Sequence, residues 1–180
     1  MGSNILSGNS PQSTAAESDL TAALFDGNST KGNMTETKIV RAHLCKKPIE
    51  RLNSVTQTGK PDCKPKGFWY DVDGSWSEWC QSEMPHWIHD LKYEVDVSAC
   101  NMLLLQDAIS VLLFSRKFGV TDQFNHTSLD WKAVAKEFDG IEISPYQHSL
   151  RFNDDCSWYY PWDVASGCVW NVEKLVLKRI

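Results

Sequence analysis

Apolar and polar positions alternate cleanly in "KIVRAHL", residues 38–44. Val40, Ala42 and Leu44 share one side and Ile39, Arg41 and His43 the other, which predicts a half-buried strand. "KPIERLNSV" then predicts a short helix with Pro48 in its first turn. "TGKPDCKPKG" is a loop dictated by its Gly, Pro and Lys content. "GFWYDV", residues 67–72, predicts a second strand, closed by an Asp73-Gly74 turn. In "SWSEWCQSEM" the residues Trp76, Trp79 and Cys80 recur at helical spacing.

The second half repeats the same vocabulary. "KYEVDV" and "NMLLLQ" predict strands. "DAISVLLFSRKFG" has a helix start in Asp107, an apolar stripe, two cations in its last turn and Gly119 as a stop. "LDWKAVAKEFDG" follows that grammar: Asp130 caps, Trp131, Val134 and Phe138 face inward, and Gly140 stops the helix in a left-handed conformation. In "FDGIEISPY", Ile141 and Ile143 point one way and Glu142 the other, as a strand requires. The chain closes with an aromatic run, a Ser-Gly turn at 166–167 and an alternating last strand. Short helices and many strands predict the α+β class, with no internal repeat.

Composition divides the chain. Of residues 1–36, 18 are Ser, Thr, Asn or Gly, with neither Trp nor Tyr. Such a segment buries too little apolar surface to offset its ordering entropy, so it reads as a disordered polar tail before a domain at 37–180. All eight Trp fall at Trp69 or later. The domain carries 17 basic and 19 acidic residues, a balance that offers phosphates no broad electrostatic footprint. No apolar run is long enough to span a bilayer. No basic segment followed by an apolar core marks a secretory signal. The expectation is a cytoplasmic monomer, or an effector delivered into a host cell. The six cysteines form no CxxC pair and read as reduced thiols. "HWIHD", residues 86–90, sets two imidazoles three apart without a third ligand, so it reads as a surface turn and no metal is expected.

Three strands offer polar groups opposite an apolar face: Arg41 and His43 on the first, Tyr70 or Asp71 on the second, and Glu142 on the late one. If these strands are neighbours, a cation, an aromatic wall and one carboxylate line a single cleft. That set suits a reaction through a positively charged sugar transition state. The carboxylate stabilises an oxocarbenium ion, the cation holds phosphate or ribose, and the aromatics stack on a flat leaving group. The plainer alternatives are a solvated strand face for Arg41 and Glu142, or an exposed Trp row that binds carbohydrate or peptide by stacking.

The order "IVRAH…KKPIERL…KPKGFWYDV…DGIEI" resembles the diphtheria-toxin-type ADP-ribosyltransferase superfamily over roughly residues 38–143. "KPKGFWYDV", "FDGIEISPY" and "WDVASGCVWN" are similar to uncharacterised viral and microbial proteins associated with it. The resemblance implies a split mixed sheet with NAD as co-substrate in its cleft and ADP-ribose passed to an acceptor: a protein side chain, a nucleic acid or water. It implies Glu142 as the catalytic carboxylate and Arg41 as the NAD-binding cation, with His43 the competing candidate. It assigns Phe68, Trp69 and Tyr70 to the nicotinamide wall. Two positions depart from the pattern. Asp71 stands where many members carry Ser, placing an acid beside NAD phosphates. Gly140 replaces the Glu or Gln two residues before the catalytic Glu, which argues against arginine as acceptor. A catalytically inactive member of the fold is the alternative these departures suggest.

Overall fold

The computed structural model describes residues 39–180; the expected polar tail lies outside the described residues. In chain order the elements are β1 (Arg41–Cys45), β2 (Phe68–Val72), α1 (Ser75–Glu83), β3 (Leu91–Asp96), β4 (Met102–Leu105), α2 (Ala108–Phe118), β5 (Gly119–Thr121), β6 (Thr127–Leu129), α3 (Trp131–Val134), β7 (Gly140–Ile143), β8 (Ser166–Val169) and β9 (Val176–Arg179). Short 3-10 turns occupy Pro85–Trp87, His148–Leu150 and Asp154–Tyr159. The class is α+β.

Seven strands form one sheet in the order β4-β7-β8-β2-β1-β3-β9, and β5 pairs with β6 in a separate hairpin. Every neighbouring pair in the large sheet is antiparallel except β4 with β7. The ladder is continuous, so the expected split into two halves is absent. The reason lies in β8. Residues 166–167 were expected to turn, but Ser166–Val169 runs as a central strand, bonded to β7 on one side and β2 on the other.

Three further expectations need correction. Residues 47–55 form no helix. Their backbone bonds go outward, Ile49 N–H to the Tyr93 hydroxyl and Val55 N–H to the Trp170 carbonyl, and Asn53-Ser54-Val55-Thr56 is poor helix material. The helix predicted in "LDWKAVAKEFDG" shrinks to Trp131–Val134. Asp130 caps it by accepting from Ala133 N–H. The chain then unwinds through turns to place Gly140 in β7. Gly140 is not left-handed. It is there for close packing, since a Cβ would stand 2.7 Å from the Cys168 carbonyl oxygen and from the Met102 sulfur. The Asp73-Gly74 turn does form, with both residues at positive φ (54° and 81°).

Register assigns the two faces of the sheet. Cross-strand partners share a face, so Arg41, His43, Phe68, Tyr70, Val72, Glu142, Gly167 and Val169 lie on one, and Ala42, Leu44, Trp69, Asp71, Ile141, Ile143 and Cys168 on the other. Each face has its own core. Val72, Val95, Val97, Val169, Val172 and Leu175 cluster with Tyr70 on the first. On the second, Trp69 meets the edge of Trp162 at 5.0 Å, and Trp162 continues into Trp158, Phe114 and Trp131. Such edge-to-face aromatic pairs add about 0.5–1.5 kcal/mol each beyond area burial.

Candidate functional site

Glu142 is 3 % exposed on the first face, one strand in from the sheet edge. Burying a carboxylate there requires partners. Arg41 supplies two: Nε donates to Oε2 at 2.6 Å and Nη2 to Oε1 at 2.9 Å. Tyr70 supplies the third, its hydroxyl donating to Oε2 at 2.7 Å. A forked guanidinium is the side chain best suited to such a bidentate grip. The carboxylate in turn holds Arg41 above its ordinary pKa. Burial and the same carboxylate push the Tyr70 hydroxyl strongly upward, so it stays a donor.

The strand order makes this contact demanding. β7 and β1 are three strand spacings apart, roughly 14 Å. Arg41 spans much of that gap, and Gly167 clears the path. Glu142, Gly167 and Tyr70 form one cross-strand row. A Cβ at Gly167 would stand 2.1 Å from Tyr70 Cζ. The missing side chain lets the phenol lie over β8 and reach the carboxylate. Gly167 is the site residue the sequence reading missed. Its signal was a lone Gly inside a run that otherwise reads as strand, which marks close approach as often as a turn.

The other expected site residues separate. His43 shares the Arg41 face and packs on Phe68, with ring centroids 4.5 Å apart. The Trp69 carbonyl accepts from its Nδ1 at 2.7 Å, which fixes the tautomer and leaves Nε2 as an acceptor. Burial lowers the His43 pKa, so the ring is neutral at pH 7. It does not touch Glu142 through any of these bonds. His43 and Phe68 instead border a shallow groove under residues 47–52, of ≈ 660 Å³, to which Lys47 and Arg51 also contribute.

The Trp69 side chain leaves the sheet on the side opposite those of Phe68 and Tyr70, although Trp69 and Tyr70 both border one cleft. Consecutive strand residues alternate, and Trp69 faces the second side with Asp71. There the two border a cleft of ≈ 380 Å³ with Ala42, Leu44, Lys64, Trp76 and Asp163, and His43 and Tyr70 also reach its lining. Asp71 is 5 % exposed and caps α1: its Oδ1 accepts from Trp76 N–H at 2.8 Å and from the Ser75 hydroxyl at 3.0 Å. Burial raises its pKa against those bonds. The acid at this position is therefore structural and is turned away from Arg41 and Glu142.

Among the described residues no three His, Cys, Asp or Glu side chains gather as metal ligands. His86 and Trp87 sit on an exposed turn. No described helix is long and apolar enough to cross a membrane. Searches against protein-family models, curated proteins and solved structures return no match to this chain.

Proposed function

We propose that the chain transfers ADP-ribose from NAD to an acceptor, with Glu142, Arg41 and Tyr70 as the working set. The observation that supports this is their convergence: from three strands, far apart in sequence, Arg41 and Tyr70 both come within 2.9 Å of the Glu142 carboxylate. In this reading NAD lies along the groove on the same face, where Lys47 and Arg51 offer charge to its diphosphate and Phe68 and His43 offer flat surfaces. Arg41 is the more exposed partner of the pair, 20 % against 4 % for Glu142. A diphosphate competes for it and releases the carboxylate toward the ribose.

Glu142 then faces the anomeric carbon. The nicotinamide–ribose bond breaks, its electron pair leaves with nicotinamide, and the carboxylate stabilises the positive charge left on the sugar. The acceptor closes the new bond and gives up its proton. Tyr70 holds the carboxylate rotamer. In this reading His43, neutral with Nε2 unprotonated, contacts ribose or takes that proton.

A second reading has its own support. Glu142 is almost fully buried and both its oxygens are engaged, as expected of a structural ion-pair triad in a binding module without catalysis. Nicotinamide release from NAD, wild type against Glu142→Gln, separates the two. Release by the folded wild type and its loss in the variant supports the transferase; no release from a folded wild type supports the module.

A further inference from the structure

The cleft on the opposite face takes no part in the chemistry proposed above, yet it is the more enclosed of the two. At ≈ 380 Å³ it falls within the range of small-molecule sites. Ala42, Leu44 and Val164 give it apolar surface, and Trp69 and Trp76 border it with two indoles. Flat apolar walls of this kind select flat rings.

Its charges select further. Three formally charged side chains border the cleft: Asp71, Asp163 and Lys64. Asp71 is spent on the start of α1. Asp163 is paired with Arg151 Nη2 at 3.2 Å. Lys64 is left over. Its nitrogen stands 5.3 Å from the Trp69 ring centroid, and among the described residues no carboxylate pairs with it within 4.0 Å. Partial burial lowers its pKa, with Asp163 opposing at longer range. A half-buried ammonium above an indole, beside carboxylates already committed elsewhere, lacks one anion.

We propose that this cleft binds a planar aromatic acid, a one- or two-ring system bearing a single carboxylate or phosphate, with the ring against Trp69 and Trp76 and the anion on Lys64. The residues that would hold the ring and the anion, Trp69, Trp76 and Lys64, are not used in the NAD reading, although His43 and Tyr70 also border this cleft.

The test is isothermal titration of the full chain with 2-naphthoate and with its neutral isostere 2-naphthamide. The expected result is saturable binding of the acid, at least about tenfold tighter than the amide, as for a charged hydrogen bond worth about 1.4 kcal/mol or more. Lys64→Met should abolish the preference and leave amide affinity unchanged, Lys64→Arg should keep it, and Trp76→Ala should weaken both ligands. Equal binding of acid and amide by the wild type, or saturable binding of neither, overturns the proposal without recourse to any variant. So does a preference that survives in a folded Lys64→Met protein.

Discussion

The Tyr70 hydroxyl lies 2.7 Å from Glu142 Oε2 although a whole strand, β8, separates the strands that carry them. The phenol crosses that strand at Gly167, where only a hydrogen stands in the way.

Gly167→Ala therefore strikes the site without touching a polar group. The new methyl must displace the Tyr70 ring and break its bond to the carboxylate. The expected cost is about 2–3 kcal/mol, the upper part of the usual range for overpacking. Most of it should vanish in a Tyr70→Ala background, where the ring is already gone. Urea melts of the four proteins measure this. Equal costs in both backgrounds would show that Gly167 is needed for some other reason.

Arg41 and Glu142 should be strongly coupled. Arg41→Met strands a buried carboxylate and is expected to cost about 3 kcal/mol, the low end for a broken buried pair because Arg41 keeps partial contact with water. Glu142→Leu alone leaves the guanidinium without its partner. The double variant should be markedly more stable than the sum of the two singles implies. Additive losses in a double-mutant cycle would mean that the pair contributes geometry and no coupling.

His43 gives the site a pH dependence on the acid side. Burial holds its folded pKa below the ordinary value of 6.5. The unfolded chain thus takes up the proton first, and stability rises with pH across that window. The contribution is complete above about 6.5 and is lost as pH falls through the folded value. The wild-type Tm should drop between pH 7 and pH 5 by more than the Tm of His43→Gln. Parallel Tm curves for the two proteins would contradict a buried neutral imidazole.

The alternation of "KIVRAHL", "GFWYDV" and "DGIEI" carried most of what could be read in advance. It put Arg41, Tyr70 and Glu142 on polar faces of strands, and the strands bring them together. The same alternation separates Trp69 from Tyr70, and grouping them as one wall overrode it by likeness to an aromatic motif. Asp71 looked like a charge facing NAD because its true partners, the backbone of Trp76 and the hydroxyl of Ser75, follow a turn whose direction only the fold sets. Ser166-Gly167 has the composition of a turn. Its place in a central strand depends on the Tyr70 ring, which comes from nearly a hundred residues earlier. Residues 47–55 were expected to be helical on local grounds. Tyr93 and Trp170 accept from two of their backbone N–H groups, Ile49 and Val55, and those contacts are invisible to any local window. Strand order is the largest feature beyond the reach of local pattern: β8 enters between β7 and β2 and makes one sheet where two halves were expected.

The central claim is that Glu142 faces a developing positive charge on ribose. The most direct test is nicotinamide release from NAD by the full chain, with and without a cell lysate as acceptor, for the wild type and for Glu142→Gln, with thermal melts showing both proteins folded. The account predicts release by the wild type and a fall of at least about a hundredfold in the variant, the cost of removing one electrostatic stabiliser. A folded wild type that releases no nicotinamide under either condition would contradict it, and Glu142 would then be the buried anchor of a binding module.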